Sequence, residues 1–183
     1  MPVHTIGPRT ENTIMIGILT DSTCDIPNNL LEQYGIIVVP QRVIWGDTEY
    51  RDRVDLEPVE FYHRLAVDPS LPHSSMPGLR DFLTAFESAL ERGATELLVL
   101  TVSSAMSGTY GVAKAAAEHA SVPVTVVDSK GPTITLGWQV LAAARARDAG
   151  ADLDAVLAQV DQVRSRLAQF VAMETLRYLQ TGG

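Results

Sequence analysis

The sequence predicts a three-layer α/β/α fold with a mainly parallel sheet, because strand patterns and helix patterns alternate along its 183 residues. Residues 14–20 and 96–102 are short apolar runs, typical of strands that are buried on both faces. Each run passes through a polar turn into a helix pattern. A third run, 124–127, ends in the same way at Asp128 and Ser129. Parallel strands separated by helices are the simplest arrangement that fits this order.

The other elements follow from caps and periodicity. Gly35 ends the first helix pattern, and Gly46-Asp47 separates two strand-like arms, which predicts a hairpin. In chain order we predict a disordered leader at 1–13, a helix at 27–34, a strand at 36–39, the hairpin at 43–50, helices from 55, 79, 111, 134 and 153, and a strand at 170–173. We divide the chain into a first α/β domain, 14–150, and the start of an incomplete second α/β domain, 151–183.

Composition excludes several classes of function. A net charge of −8 and a pI near 4.9 argue against a nucleic-acid or anionic-membrane partner, which would need a basic patch. No run approaches the roughly 18 apolar residues of a membrane span, and the N-terminus lacks the apolar region of a signal peptide, so we expect a cytoplasmic protein. The single cysteine, Cys24, rules out an internal disulfide. The four histidines are scattered and predict no metal site, and no cofactor is expected.

The polar turn at 103–110 is the strongest candidate binding element. It lies between a buried strand and an alanine-rich helix, where free backbone N–H groups and the helix dipole favour an oxyanion. Ser103, Ser104, Ser107 and Thr109 add hydroxyl groups, and Gly108 allows a ligand to approach the backbone. The alternative is that Ser104 or Ser107 only caps the helix.

Further polar residues follow other predicted strands or precede a helix. Ligands of open parallel sheets bind outside the carboxyl ends of the strands, so these residues are expected to line one crevice. Turn capping explains several of them equally well. The candidate pocket residues are Asp21, Ser22, Ser75, Ser103, Ser104, Asp128 and Ser129, and Ser74 lies in the polar turn predicted at 73–78, before the helix from 79.

Three ordered motifs carry a family resemblance: Asp-Ser-Thr-x-Asp-x-Pro at 21–27, Ser-Ser-x-Pro at 74–77 and Ser-Ser-x-x-Ser-Gly-Thr-Tyr at 103–110. The sequence resembles the DegV family of bacterial fatty-acid-binding proteins. The resemblance covers nearly all of residues 14–183. Further matches are Val38-Val39-Pro40, Tyr50-Arg51-Asp52, Phe61-Tyr62, Val127-Asp128-Ser129 and the closing segment Thr175 to Gly183.

The resemblance implies a carrier, not itself an enzyme, that buries a long acyl chain such as palmitate or oleate between two α/β domains. In such proteins side-chain hydroxyls hold the carboxylate, and the bound acid is presented to a partner fatty-acid kinase. By motif position Ser74 and Ser107 are the carboxylate donors, assisted by the N–H groups of Gly108 and Thr109. The sequence departs from the pattern with Ser74 for Thr, Met76 for Gln and Cys24 for a smaller residue.

Other functions stay open at this point. A serine hydrolase could use His73 beside Ser74, and a phosphotransferase relative could use the same helix N-terminus, but no Gly-x-Ser-x-Gly elbow is present. A protein-interaction domain needs neither a cavity nor a base. Members of the family continue beyond a Gly-Gly like Gly182-Gly183, so the resemblance implies that most of a second domain, with a third polar ligand, is missing. Apolar faces left open would then favour a homodimer.

Overall fold

A computed structural model of the protein describes residues 15–172, so the predicted leader at 1–13 lies outside the described residues. The strands are β1 (Ile16–Asp21), β2 (Ile37–Val39), β3 (Arg42–Trp45), β4 (Thr48–Arg51), β5 (His73–Ser75), β6 (Glu96–Thr101) and β7 (Val124–Asp128). The helices are α1 (Asn28–Gln33), α2 (Pro58–Val67), α3 (Leu79–Glu91), α4 (Thr109–Ala117), α5 (Ile134–Asp148) and α6 (Leu153–Arg164), and a 3₁₀ helix, Ser22–Cys24, follows β1.

A four-stranded parallel sheet with the order β2-β1-β6-β7 forms the centre of the molecule. Successive residues of its central strands point to opposite faces of the sheet. On one face Ile18 and its neighbours pack with α5 and α6, and on the other face Leu19 and its neighbours pack with α3 and α4. The predicted α/β fold, with helices on both faces of a parallel sheet, is therefore confirmed.

Helix α5 lies unusually close to the 3₁₀ helix that ends β1. Position 137 is glycine, and a Cβ atom there would overlap the carbonyl oxygen of Cys24. The close approach buries Cys24 and Leu136 in the same apolar cluster. The chain leaving β1 is thus held against α5 at the carboxyl edge of the sheet.

A smaller antiparallel sheet with the order β4-β3-β5 lies beside this edge. The predicted hairpin is confirmed, and its turn contains Gly46 with a φ of 63°. Residues 73–75, which the sequence analysis assigns to a polar turn, form β5 instead and pair with β3 in the register Val43↔Ser74. The prediction was wrong here because backbone pairing to β3, rather than an apolar pattern, makes this segment a strand.

Helix α6 begins just after the predicted domain boundary at 150. Its Val156 and Val160 are fully buried in the cluster that α5 shares with the parallel sheet. The two helices on either side of the boundary therefore share one core, and the division into domains stays a prediction. The strand predicted at 170–173 is not formed over 170–172, where Phe170 is 93% exposed, and Met173 lies outside the described residues.

Candidate functional site

A cleft of about 560 Å³ opens between the carboxyl edge of the parallel sheet and the small sheet. Its volume falls in the usual range of ligand pockets, roughly 300–1,000 Å³. Apolar side chains from α2 and from the loops that follow β5 and β6 form part of its wall. Among the predicted site residues, those that line the cleft are Ser22, Ser74, Ser75 and Ser107. A second cavity of about 530 Å³, beside Met15 and Gly150 at the opposite edge of the sheet, contains none of them.

Ser107 reaches the cleft from the residue before the N-cap of α4. Its Oγ is 2.8 Å from Thr109 Oγ1 and accepts a longer hydrogen bond, 3.3 Å, from the Thr109 backbone N–H. Thr109 is fully buried and also accepts a hydrogen bond from Gln41 Nε2 at 3.1 Å. Ser107 is therefore not the N-cap of α4, but its Oγ receives the first N–H of the helix and still faces the cleft.

Ser74 and Ser75 reach the cleft from β5, where they lie opposite Val43 and Arg42 of β3. Strand β3 is anchored at its first residue, because the Arg42 guanidinium contacts both carboxylate oxygens of Asp81, at 2.5 and 2.6 Å. Asp81 lies in the first turn of α3 and accepts the N–H of Gly78 at 2.8 Å. Strand β3, the 75–78 connection and α3 are thereby fixed together, which sets the position of both serines.

Met76 joins the two serine-bearing segments. Its thioether packs against Gly108, where a Cβ atom would overlap the methionine sulfur. The space that the sequence analysis reserved for a ligand beside Gly108 is thus partly filled by Met76. Gly108 is required for this close approach, and the ligand-binding role of its N–H stays a prediction.

Asp21 and Ser22 lie at the end of β1, but only Ser22 lines the cleft. Asp21 is fully buried, accepts the N–H and hydroxyl of Thr23, and accepts the N–H of Val102 at 2.7 Å. This carboxylate therefore ties the loop after β1 to the loop after β6. Ser22 Oγ accepts the backbone N–H of Gln41 at 3.0 Å and lines the cleft.

Four other predicted residues form hydrogen bonds within and between the loops that follow β6 and β7. Ser104 donates its hydroxyl to Asp128 at 2.5 Å, Ser129 donates to the carbonyl of Gly131 at 2.8 Å, and Ser103 accepts the N–H of Ala105. Burial acts to raise the pKa of Asp128, but hydrogen bonds from Ser104 and Lys130 outweigh it and hold the pKa below its ordinary value. Neither these four residues nor Asp21 line the cleft.

Several residues that were not predicted from the sequence line the cleft, among them Asp25, Asp52, Arg53 and Gln41. Burial raises the pKa of both Asp25 and Asp52, and the nearby guanidinium of Arg53 opposes this rise. Arg53 donates to the carbonyl of Ile26 at 3.0 Å and so connects the small sheet to the chain after β1. Gln41 lies 68 positions from Thr109 in the sequence, and no local pattern marks it.

The surroundings of the serines suit binding better than nucleophilic catalysis. Over residues 15–172, no histidine, lysine or carboxylate hydrogen-bonds to Ser74 or Ser107. His73 neighbours Ser74 in β5, where successive side chains point to opposite faces. Within the same residues no cluster of three or more potential metal ligands occurs, and no helix is long and apolar enough to cross a membrane. Beside its apolar side chains, the cleft offers the neutral hydroxyl groups of the serines and the charged side chains of Asp25, Arg42, Asp52 and Arg53.

Comparison with known proteins decides the family. A family model described as "Uncharacterised protein, DegV family" matches residues 15–183. The chain belongs to the DegV family. A DegV domain-containing protein of Clostridium acetobutylicum is 31% identical over 169 residues, which cover 92% of this chain and 60% of the relative. The chain thus spans about 60% of the length of the curated DegV relatives that it matches.

Solved structures of DegV proteins share the fold. A fatty-acid-binding DegV family protein from Thermus thermophilus is 34% identical, with a TM-score of 0.82, and the match covers 92% of this chain and 60% of that one. A stearic-acid-binding protein from Eubacterium ventriosum is 29% identical, with a TM-score of 0.73, over 80% of this chain and 52% of that one. DegV proteins from several species thus bind fatty acids.

Proposed function

We propose that this chain contributes the carboxylate-binding part of a fatty-acid carrier, with Ser74 and Ser107 as the hydroxyl donors. The observation that supports this most directly is that both serines, from motifs more than 30 positions apart, line one cleft. Phe61, Tyr62 and Met106 line the same cleft and supply apolar surface. The ligand class is a long-chain fatty acid such as palmitate or oleate.

Typical binding energies indicate different roles for the acyl chain and the carboxylate of the ligand. Each buried methylene contributes about 0.8 kcal/mol, so a long acyl chain gains on the order of 10 kcal/mol before the costs of association. A hydrogen bond to a charged group contributes roughly 1.5–3 kcal/mol. Apolar surface therefore supplies most of the affinity, and the serines orient the carboxylate.

Other parts of the proposal rest on the sequence pattern and on the family resemblance. These are presentation of the acid to a partner fatty-acid kinase, action as a binding protein rather than an enzyme, a cytoplasmic location in a bacterium and a homodimer. One observation favours a partner surface of some kind: Tyr62 and Met106 line the cleft and are 68% and 65% exposed. A protein that covers the cleft would bury both side chains.

The test is mass spectrometry of organic extracts from the purified protein and from its Ser107→Ala and Ser74→Ala variants. Ser121→Ala is the matched control, because Ser121 is exposed in the turn before β7 and does not line the cleft. We expect one fatty acid per chain in the parent and the control, and clearly less in Ser107→Ala, since the loss of one hydrogen bond to a carboxylate weakens affinity about tenfold. A parent without lipid contradicts the carrier, and full lipid in Ser107→Ala contradicts the anchor.

A further inference from the structure

Three side chains form a hydrogen-bonded row along one wall of the cleft. Gln41 Nε2 lies 3.1 Å from Thr109 Oγ1, which in turn lies 2.8 Å from Ser107 Oγ. Gln41 and Thr109 are buried, whereas Ser107 is half-buried and faces the cleft. The row therefore connects the small sheet, through the first residue of α4, to the proposed carboxylate donor.

The direction of the hydrogen bonds follows from the buried state of Thr109. Its hydroxyl carries one hydrogen and already accepts a hydrogen bond from the Gln41 amide. Over residues 15–172, the only acceptor within reach of that hydrogen is Ser107 Oγ. If Ser107 donated instead, Thr109 would bury a hydrogen without an acceptor, which is costly. Thr109 therefore donates to Ser107.

This direction determines what Ser107 can do in the cleft. Its oxygen accepts both the Thr109 hydroxyl and, at 3.3 Å, the Thr109 backbone N–H, so both lone pairs are engaged. The remaining group is the Ser107 hydrogen, which is free to donate to a ligand. A hydroxyl held in this way recognises an acceptor, such as an ionised carboxylate, and rejects a group that must donate to it. Hydrogen bonds in series also polarise one another, which strengthens the final donor.

The backbone of Gln41 is held by hydrogen bonds on both sides, which fixes the point from which its side-chain amide reaches Thr109. Its N–H donates to Ser22 Oγ at 3.0 Å, and its carbonyl accepts the N–H of Asp52 at 2.9 Å. The starting point of the row is therefore set by residues of the cleft wall itself.

We propose that Gln41 and Thr109 are positioning residues that orient the Ser107 hydroxyl as a dedicated donor to a carboxylate. This inference rests on the proposed fatty-acid-binding function. It predicts that both residues affect binding only through Ser107 and that the site prefers an ionised acid to the corresponding alcohol.

The experiment measures palmitate affinity by titration calorimetry at pH 7.5 for Thr109→Val, Thr109→Ser and Gln41→Leu, in the parent and in a Ser107→Ala background. We expect Thr109→Val and Gln41→Leu to weaken binding about threefold to tenfold, the size of one neutral hydrogen bond. Thr109→Ser should restore the parent affinity. In the Ser107→Ala background the same changes should have no further effect, whereas a purely structural role would weaken binding in both backgrounds.

The outcomes separate this inference from the carrier proposal. If Ser107→Ala loses palmitate but Thr109→Val and Gln41→Leu bind like the parent, the positioning role is wrong and the carrier stands. If Thr109→Val does not fold, Gln41→Leu completes the cycle. If the parent binds no palmitate, the carrier proposal fails, and NMR of the free protein then tests the direction of the hydrogen bond between Thr109 and Ser107. A protected Thr109 hydroxyl proton near Ser107 supports the positioning role. A Ser107 hydroxyl proton directed at Thr109 overturns it.

Discussion

Cys24 lies where the chain leaves β1, and its thiol is fully buried against α5. Burial raises its pKa from 9.0 to about 11, because the interior disfavours the thiolate, and the Ile26 backbone hydrogen bond and Arg53 only partly oppose this. Its environment makes Cys24 an unreactive, protonated side chain at neutral pH.

The raised pKa predicts a loss of stability at alkaline pH. Between pH 9 and 11 the folded thiol keeps its proton while the unfolded thiol loses it, so the free energy of unfolding falls as pH rises. Two pKa units correspond to on the order of 2–3 kcal/mol. Urea unfolding at pH 7, 9 and 11 measures this, with Cys24→Ala as the control that should lack this part of the decline. An equal decline in Cys24→Ala would assign the effect to other groups.

Residue-scale prediction from sequence succeeded for some of the polar side chains in the turns that follow parallel strands. Ser22 and Ser107 line the cleft because the ends of parallel strands meet at one edge of the sheet. It failed for Gln41, because a contact over 68 positions leaves no local pattern. Asp128 and Ser104 were equally plausible from their positions, but each satisfies the other, and only the folded loop reveals this.

At the scale of elements, α6 shows what apolar periodicity can and cannot predict. The periodicity of its apolar residues predicted the helix, and the structure confirms it as Leu153–Arg164. Periodicity identifies an apolar face but does not identify the surface that covers it. Here α5 covers it, with Val156 and Val160 inside the shared core. Strand β5 is the opposite case. It forms by pairing with β3, and its sequence, His73–Ser75, has no apolar alternation that would predict a strand.

Truncation of a buried valine tests the place of α6 in the core. We expect Val160→Ala to lower the free energy of unfolding by about 1.5–3 kcal/mol, since it removes buried methyl groups and leaves a cavity. Val59→Ala on α2, where the side chain is 84% exposed, should change it by less than about 0.5 kcal/mol. Urea unfolding followed by circular dichroism measures both. Equal small effects would show that α6 does not contribute to this core in solution.

At the scale of the whole molecule, the two sheets are joined mainly by polar contacts. The apolar clusters on the two faces of the parallel sheet do not include Trp45 or Leu56, the fully buried side chains of the small-sheet region. The links are instead the Arg42–Asp81 ion pair, the Gln41–Thr109 hydrogen bond and the Arg53 contact with Ile26. The cleft lies along this junction, so its shape depends on how firmly the small sheet is held.

Because it shares little apolar core with the rest of the chain, the small sheet should open at a lower denaturant concentration than the parallel sheet. The two tryptophans report on the two parts: Trp45 packs in the small sheet against Phe61 and Arg64, and Trp138 lies on α5. Trp138→Phe leaves only the first reporter, and Trp45→Phe leaves only the second.

In urea unfolding followed by fluorescence, we expect the Trp45 signal to change at a midpoint at least about 0.5 M lower than the Trp138 signal. The Trp138 midpoint should coincide with the loss of helical circular dichroism, because α5 belongs to the main core. Coincident midpoints for both tryptophans would contradict the prediction and show that the polar junction unfolds together with the core. A bound fatty acid that contacts both walls of the cleft should bring the two midpoints together, since it stabilises only the closed junction.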